Sequence, residues 1–287
     1  MKKVPSINAS SFFHFTRKIS SLKLILKNGV RFSYAFERYS DSLISNFCNT
    51  KCSYQDLGVA IPMICFCDTP LTRAYQHMDK YGDYMIGFNK DYLISCYGNA
   101  LNPVFYIQSL NVEDAIEEIS SIYAETCKEY DCLTKITPYD ESTQMRITSL
   151  GLRKYNLRLL VGLRKPMSFY DEREWRIIYD DNKGQVNEWK WGLPEAEYER
   201  IKKDINNELS EDFDSYITVF KDNICDAISH IVVKKESQIP KIVDYIMESK
   251  KLFGYEYKRE SDIDEIKKVK MNLVSKITSV KRIISDY

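Results

Sequence analysis

The sequence lacks both a long apolar run and a net charge. No stretch approaches the roughly 18 apolar residues of a membrane-spanning helix. Polar residues follow the basic Met1-Lys2-Lys3, where a secretory signal would be apolar. Basic and acidic residues balance at 41 each, so overall charge does not predict binding to nucleic acid. We therefore expect a cytoplasmic protein that does not enter a membrane.

The spacings typical of metal and disulfide sites are missing as well. The eight cysteines include three near-pairs, which are Cys48 and Cys52, Cys65 and Cys67, and Cys127 and Cys132. None has the two-residue gap usual for zinc ligands, and the three histidines lie elsewhere. We expect reduced thiols and no metal. Glycine-rich phosphate loops and the HExxH and GxSxG patterns are also absent from the sequence.

Short apolar strands separated by helical segments make up most of the chain. Its 287 residues, 44% of them hydrophobic, are enough to bury a full core. Strands are predicted at residues 12–16, 63–68, 84–88, 103–107, 174–179 and 228–233. Pro62 places the start of the second strand at Met63, because proline cannot donate to a strand ladder. Residues 35–57 are polar and aromatic, and predict a loop or an irregular helix.

Helical spacing of apolar residues appears in two further regions. Residues 112–132 and 142–160 predict a helical insertion at about 112–160, with a basic second half. Near the C-terminus the residues that step by three and four are Ile263, Ile266, Lys270, Leu273, Ile277, Val280 and Ile284. This heptad seam predicts a C-terminal amphipathic helix at 258–287, after an α+β domain at 1–257. The helix either packs on that domain, which the lysine in the seam favours, or forms an oligomer or partner contact.

His14 is the histidine that best fits a binding site. It lies in the first predicted strand, on the same face as Thr16. Both side chains can hydrogen-bond to the hydroxyls of a sugar. Taken alone, His14 fits equally well at the edge of a core, where it would bond to a backbone carbonyl. His77 fits a partly exposed helix position, and His230 a structural one.

The opening of the chain resembles that of ADP-ribosyltransferase folds. The resembling residues are Phe13-His14-Phe15-Thr16, then Leu22, Ile25-Leu26 and Gly29. In that family a strand with His-x-Thr precedes a helix that ends near Leu-x-x-Gly, and the histidine and a hydroxyl-bearing neighbour hold the ribose and amide of NAD. The resemblance implies an ADP-ribosyltransferase-like split β-sheet with flanking helices. It also implies NAD as the bound cofactor or substrate, held by His14 and Thr16.

The same resemblance assigns two further strands. Cys65-Phe66-Cys67-Asp68-Thr69 corresponds to the second strand of the family, although Cys67 and Thr69 stand where Ser-Thr-Ser is usual. The third strand supplies a catalytic glutamate, Glu172 or Glu174, which would stabilise positive charge on the ribose as nicotinamide leaves. The candidates for stacking on the nicotinamide ring are Phe66, Tyr81 and Tyr84.

Two segments near these candidates also have structural interpretations. Strand alternation places Glu172, Glu174 and Arg176 on one face. Arg176 could pair with either glutamate as a structural bridge, and Trp175 fits a core position. Asp68 has two interpretations. It caps the helix that follows it, or it is a polar group at the mouth of the cleft.

Five segments in order are similar to the AbiGi family of bacterial abortive phage-resistance proteins. They are residues 13–16, 61–71, 81–88, 102–104 and 172–176. That family is labelled the antitoxin half of a two-gene toxin–antitoxin system, beside a nucleotidyltransferase-like toxin. The resemblance implies antiviral defence by abortive infection, and a cognate toxin or a phage-derived trigger as partner.

Three functions follow as hypotheses. The first is an NAD-dependent ADP-ribosyltransferase or NAD glycohydrolase, with a protein or nucleic-acid acceptor; it predicts that His14 and Glu174 face one cleft. The second is a non-catalytic antitoxin or sensor that binds its toxin. The third is a nucleic-acid enzyme that uses the basic stretch from Arg146 to Lys165, which the neutral total charge and the missing metal-carboxylate motif disfavour.

Overall fold

The computed structural model describes residues 9–38, 58–98, 100–107, 112–136, 140–179, 193–211, 216–217, 224–257 and 263–286. The helices are α1 (Ile19–Asn28), α2 (Leu71–Ala74), α3 (Met78–Tyr81), α4 (Lys90–Tyr97), α5 (Val112–Thr134), α6 (Glu141–Gly162), α7 (Glu195–Glu211), α8 (Ile224–Ala227), α9 (Ile239–Glu248), α10 (Ile263–Ser275) and α11 (Val280–Asp286). The strands are β1 (Ser11–Thr16), β2 (Val30–Arg31), β3 (Ser33–Arg38), β4 (Gly58–Cys67), β5 (Tyr84–Asn89), β6 (Leu101–Pro103), β7 (Phe105–Ile107), β8 (Arg164–Pro166), β9 (Glu174–Ile178), β10 (Leu193–Pro194), β11 (Tyr216–Ile217), β12 (Ile228–Val233), β13 (Lys251–Leu252), β14 (Tyr255–Glu256) and β15 (Ile277–Ser279). Short 3₁₀ helices cover Tyr75–His77, Met167–Glu172 and Glu236–Gln238.

Nine of the described strands form one mixed sheet, which confirms the predicted α+β class. The order is β15-β12-β5-β1-β4-β9-β6, and β3 and β10 also pair with β4. The pairs are antiparallel, except for β12 and β15, which are parallel. Successive residues of β1, β5 and β12 are buried, which is typical of strands covered on both faces.

Helices cover both faces of this sheet. On one face Phe12, Ile86 and Ile231 pack with residues of α1, α9 and α10 in the largest core cluster. On the other face α5 and α6 pack over β4 and β9, and contribute Tyr123 and Leu157. These two helices confirm the helical segments predicted within 112–160. None of the helices in the described part of the chain has both the length and the apolar character needed to cross a membrane.

β4 changes neighbours along its length and so opens a gap in the sheet. Residues 58–63 pair with β3, whereas on the same edge Cys67 pairs with Phe13 of β1. β3 and β1 lie on the same edge of β4, because Met63 and Cys67 both pair with β9 across the opposite edge of β4. Phe13 with Cys67 is the single register pair that joins β1 to β4 among the described residues. The two strands diverge from that pair.

Two predictions for β3 and β4 are wrong. β4 begins at Gly58 rather than at Met63, with Pro62 inside it. The carbonyl of Pro62 accepts a hydrogen bond from the Tyr179 N–H, just beyond the last pair of β4 with β9. The missing proline N–H therefore falls at the end of that ladder, where it costs little pairing. Residues 35–38 belong to β3 rather than to a loop, and residues 39–57 lie outside the described residues.

The prediction of one continuous C-terminal helix is also wrong. α10 ends at Ser275 and α11 begins at Val280, with β15 between them. β15 pairs in parallel with β12, so that Ile277 lies opposite Ile231. The edge of β12 offers backbone groups that need partners, and pairing with them outweighs the local helical spacing. The division of the chain at residue 257 stays a prediction.

Candidate functional site

A cavity of about 120 Å³ lies in the gap between β1 and β4. The residues that line it are Phe13, His14, Phe15, Cys65, Phe66, Cys67, Tyr81, Glu172 and Glu174. Consecutive residues of β1 and of β4 take part. Its walls are mostly apolar, and its size suits one aromatic ring, since an apolar cavity of about 150 Å³ can hold benzene.

His14 bridges the two strands that border the cavity. Its Nδ1 lies 2.9 Å from the carbonyl oxygen of Cys65. Burial lowers the pKa of His14, and the hydrogen bond to this carbonyl opposes the shift only in part. The ring is therefore neutral near pH 7. Because a carbonyl can only accept, Nδ1 carries the proton and Nε2 is left as an acceptor. His14 thus satisfies a backbone carbonyl, the structural alternative, and lines the cavity as well.

Tyr81 is held beside β1 by the glycine that follows it. Gly82 has a φ of 120°, and a Cβ at this position would lie 2.4 Å from the carbonyl oxygen of Thr16. Glycine alone combines this backbone angle with so close an approach. The ring centroids of Tyr81 and Phe15 are 6.2 Å apart. Burial and a hydrogen bond to Glu172 raise the pKa of Tyr81, so that its hydroxyl stays protonated.

Glu172 and Glu174 reach the cavity from the two sides of a sharp turn. Glu172 ends a 3₁₀ helix and Glu174 begins β9. Between them Arg173 has a φ of 43°, in the left-handed region that residues other than glycine rarely adopt. The prediction that strand alternation places Glu172 on the face of Glu174 is therefore wrong. Lys165 connects the pair instead, because its Nζ lies 2.5 Å from Glu172 Oε2 and 2.7 Å from Glu174 Oε2.

Arg176 is fully buried. It connects Glu174, which lines the cavity, to Glu37, which does not. Its Nε lies 2.8 Å from Glu174 Oε1, and its Nη2 lies 2.5 Å from Glu37 Oε1. Its Nη1 donates to the carbonyl of Gly162 at the end of α6, at 2.7 Å. The structural bridge considered for Arg176 is thus present, with Glu174 as the partner. It ties the cavity wall to β3 and α6.

The buried cations fix the ionisation of Glu174. Burial alone would raise its pKa, but the charge and hydrogen bonds of Arg176, together with Lys165, lower that pKa to about 2. Burial likewise opposes the charge of Lys165, and Glu174 and Glu172 outweigh it and raise the pKa of this lysine. Burial raises the pKa of Glu37 in spite of Arg176. Glu174 is therefore ionised at any physiological pH and cannot act as a general acid.

The two cavity glutamates differ in how many buried cations they contact. Glu174 contacts both Lys165 and Arg176. Glu172 contacts Lys165, and its second cation is Lys80 at 3.4 Å, whose side chain is 56% exposed. Solvent screens such an exposed pair, so Lys80 contributes little. Glu172 is therefore the carboxylate with more negative charge left for a ligand.

Two of the predicted binding residues lie beside the cavity without lining it. Thr16 and Tyr84 are partners in the ladder of β1 with β5. Tyr84 is buried in the largest core cluster, and its hydroxyl accepts a hydrogen bond from Gln238 Nε2 at 2.8 Å. The structure brings together the other predicted residues, His14, Phe66, Tyr81, Glu172 and Glu174.

Asp68 forms a second, partly buried ion pair that lies beside Trp175. Asp68 was considered as a cap on α2, but its Oδ2 lies 2.5 Å from the Nζ of Lys90. That ammonium also lies over the rings of Phe12 and Trp175, 4.9 and 5.4 Å from their centroids. Trp175 is half-buried and packs against the main core, as expected.

Lys165 and Glu37 are the members of the cluster that sequence reasoning missed. Lys165 lies at the end of the basic stretch that the sequence analysis interprets only as a surface for nucleic acid, and Glu37 lies in the segment predicted as a loop.

The thiols of Cys65 and Cys67, which also line the cavity, are poor nucleophiles. Burial raises the pKa of Cys67 to about 12 and raises that of Cys65 as well, and a thiol reacts through its thiolate.

The arrangement offers a small, mostly apolar cavity with a few polar residues among those that line it. Phe15, Phe66 and Tyr81 form aromatic walls, while His14 and the two carboxylates supply acceptors. A nicotinamide ring matches this space, whereas whole drug-sized ligands need about 300–1,000 Å³. The remainder of a dinucleotide would therefore lie outside the cavity. Within the described residues, no three His, Cys, Asp or Glu side chains are grouped so as to hold a metal ion.

Comparison with known proteins places this chain among phage-resistance proteins. A family model described as "Putative abortive phage resistance protein AbiGi, antitoxin" matches residues 36–234. A protein of Lactococcus lactis subsp. cremoris, named abortive phage resistance protein AbiGi, is 28% identical over 131 residues, which are 42% of this chain and 51% of that protein. The chain thus matches about half the length of this relative. No solved structure matches the chain. The family model covers more than half of the sequence, and the chain belongs to the AbiGi family of abortive phage-resistance proteins.

Proposed function

We propose that this protein acts in abortive phage infection and that its cavity binds NAD by the nicotinamide end, as an ADP-ribosyltransferase-like site. One observation carries the proposal: His14 from β1 and Glu174 from β9 line the same cavity. This is the geometry that the NAD hypothesis required, and Phe66, Tyr81 and Glu172 line that cavity too. The gap between β1 and β4 supports the split sheet implied by the resemblance.

The cavity residues have separate tasks in this proposal. The nicotinamide ring lies against Phe66 and Tyr81, whose faces suit an aromatic ligand. Nε2 of His14 accepts a hydrogen bond from the carboxamide NH₂ group, because Nδ1 is already bonded to the Cys65 carbonyl. The ribose lies at the polar edge, beside the carboxylates.

Cleavage of the bond between nicotinamide and ribose places positive charge on the sugar. Nicotinamide leaves with the bonding electron pair, and water or an acceptor group then adds to the sugar carbon. We assign Glu172 to stabilise this charge, because it contacts one buried cation where Glu174 contacts two. Glu174 is a positioning residue that holds Lys165 and Arg176 in place.

NAD consumption by the purified protein tests the proposal, with and without a lysate of phage-infected cells. We expect Glu172→Gln to remove turnover while the fold survives, since glutamine keeps the shape and loses the charge. Tyr84→Phe is the matched control, because Tyr84 does not line the cavity. Failure of both NAD and nicotinamide to bind, with NAD intact under every condition, contradicts the proposal.

A second candidate is a non-catalytic antitoxin or sensor, and one observation favours it. The ammonium of Lys165 contacts both cavity carboxylates and offsets their charge. Such a site would bind a ligand and leave it intact. This candidate predicts nicotinamide binding with no NAD turnover, together with a stable complex with the product of a neighbouring toxin gene in size-exclusion chromatography.

A further inference from the structure

We propose that an outer binding area lies beside the cavity, where Lys80 and Arg17 hold the pyrophosphate of a dinucleotide and the ring of Tyr170 stacks on its adenine. This inference rests on the proposed binding of NAD by its nicotinamide end. The cavity has room for about one aromatic ring, so the remainder of the dinucleotide needs contacts elsewhere. The residues next to Glu172, at the polar edge of the cavity, supply them.

The 3₁₀ helix Met167–Glu172 leads from the cavity edge to the protein surface. Residues three positions apart lie on the same side of such a helix. Phe169 and Glu172 are three apart, and both contact Lys165, whose Nζ lies 5.0 Å from the ring centroid of Phe169 and 2.5 Å from Glu172 Oε2. This side of the helix therefore faces the cavity edge. Tyr170 lies one step further round and is 50% exposed.

The exposed ring of Tyr170 is held in place by a second tyrosine. Its centroid lies 5.4 Å from that of Tyr106, in an edge-to-face arrangement. Tyr106 is fixed in turn, because its hydroxyl accepts a hydrogen bond from the Glu174 N–H at 2.7 Å. Glu174 lines the cavity, so two contacts connect the exposed ring to the cavity wall. A ring that is already ordered loses little conformational entropy when a base stacks on it.

Lys80 lies between the cavity and this helix. Its Nζ lies 3.4 Å from Glu172 Oε1 and 5.4 Å from the ring centroid of Phe169, the neighbour of Tyr170. The side chain is 56% exposed, and because solvent screens its contact with Glu172, the ammonium can turn to a phosphate at little cost. Arg17 adds an exposed cation here, since its Nη2 donates to the carbonyl of Lys80 at 3.0 Å. That bond uses one of five guanidinium donors, and phosphate is a preferred partner of arginine.

The sequence of these contacts matches the sequence of groups in NAD. Glu172 stands at the cavity edge, Lys80 contacts it from outside, and Tyr170 lies beyond Lys80 on the 3₁₀ helix. The corresponding groups of NAD are the ribose of nicotinamide, the pyrophosphate and the adenine. The base of a nucleic-acid acceptor has the same stacking chemistry as adenine, and the choice of ligands distinguishes the two.

Three ligands of increasing length test the outer binding area. They are nicotinamide and the carbocyclic analogues of nicotinamide mononucleotide and of NAD. The analogues keep the cationic nicotinamide ring, and they resist cleavage because a CH₂ group replaces the ribose oxygen that would share the positive charge. Calorimetry measures the dissociation constants. We expect the wild type to bind the NAD analogue about tenfold or more tightly than the mononucleotide analogue, the size of one stacked base.

Two kinds of variant separate the contributions of the ring and the cation. Tyr170→Ala should remove most of the difference between the two analogues and leave the affinity for the mononucleotide analogue unchanged. Tyr170→Phe keeps the ring and should retain the difference. Lys80→Met should weaken both analogues by about two- to fivefold at low salt, and less at high salt. It should leave the affinity for nicotinamide, which has no phosphate, unchanged.

Two matched controls lie away from the outer binding area. Phe105→Ala removes a ring that is also 50% exposed and that neighbours Tyr106 in β7, where strand alternation points it to the opposite side. Lys202→Met removes an exposed cation of α7 that pairs with Glu199. Neither should change the affinity for any of the three ligands. Circular dichroism checks folding, and if Tyr170→Ala does not fold, the comparison of the two analogues in the wild type still decides.

The outcomes keep the two proposals apart. If neither nicotinamide nor an analogue binds the wild type, the proposed function fails. If the mononucleotide analogue binds and the NAD analogue binds no more tightly, the outer binding area fails alone. A folded Tyr170→Ala with an unchanged difference also overturns the inference. If that variant loses affinity for a single-stranded oligonucleotide instead, Tyr170 serves the base of an acceptor and not the adenine of NAD.

Discussion

Arg176→Met is expected to lower the free energy of unfolding by about 3–5 kcal/mol, the range for breaking a buried ion pair on one side. The arginine side chain is 0% exposed. It contacts the carboxylates of Glu174 and Glu37 and the carbonyl of Gly162. Methionine can fill much of the space, but it leaves two buried carboxylates without their shared cation.

The lowered pKa of Glu174 agrees with a loss of this order. Its value falls from 4.5 to about 2 on folding, which corresponds to about 3 kcal/mol in favour of the folded state. Burial opposes this gain, and Arg176 is the first of the groups that outweigh it. Most of the stabilisation that ionised Glu174 gives the folded state should therefore be lost in Arg176→Met. Glu37, whose pKa burial already raises, should then take up a proton more readily.

Urea denaturation followed by circular dichroism measures the effect, with the slope of the transition as a check on two-state behaviour. The triple variant Glu37→Gln, Glu174→Gln, Arg176→Met removes both carboxylates together with the cation, and it should recover most of the lost stability. A loss below about 1 kcal/mol in Arg176→Met, within the range of exposed pairs, would refute the assignment of this cluster as a buried, mutually dependent unit.

Three further predictions follow from single contacts. Glu174 has a lowered pKa, so its contribution to the free energy of unfolding is complete above pH 4.5 and is lost as the pH falls towards 2. The urea midpoints measured across this range should depend less on pH in Glu174→Gln than in the wild type. An unchanged pH dependence contradicts the assigned cause. Gly82→Ala places a Cβ 2.4 Å from the carbonyl oxygen of Thr16 at a φ of 120°, which should cost at least about 1–3 kcal/mol and lower the melting temperature. Tyr84→Phe removes the hydrogen bond from Gln238 and should cost about 1 kcal/mol, while calorimetry should find the nicotinamide affinity unchanged; weaker binding would place Tyr84 in the site after all.

The central strands could be predicted because local pattern and tertiary environment agree there. In β5, each residue from Tyr84 to Phe88 is apolar or glycine and each is buried, so no competing interpretation arises. The same agreement holds for β1, where His14 is flanked by two phenylalanines. A residue pattern that follows directly from burial is visible in the sequence itself.

The charge cluster could not be predicted, because its contacts join residues that are distant in the sequence. Glu37 and Arg176 are 139 positions apart, and nothing near Glu37 indicates a buried partner. The position of Glu172 was predicted incorrectly from strand alternation for a related reason. Its place beside Glu174 depends on the left-handed turn at Arg173, a conformation that the arginine side chain does not favour.

The tail shows how one pattern can fit two structures. Ile277 continues the heptad seam that begins at Ile263, and it also suits a strand, since β-branched residues favour both an apolar seam and a sheet. The parallel pairing with Ile231 decides between them. Only the position of β12 within the sheet makes that pairing available.

The late position of β15 has a consequence for the growing chain. β12 is complete once Val233 has been added, but the partner for its outer edge arrives only with Ile277–Ser279. Until then a nascent chain leaves the outer edge of β12 open at residues 231–233, and an open strand edge is a place where other chains can join. Long-range parallel pairing is also slow to form. A chain whose synthesis stops between these two points therefore keeps this edge of β12 without its partner.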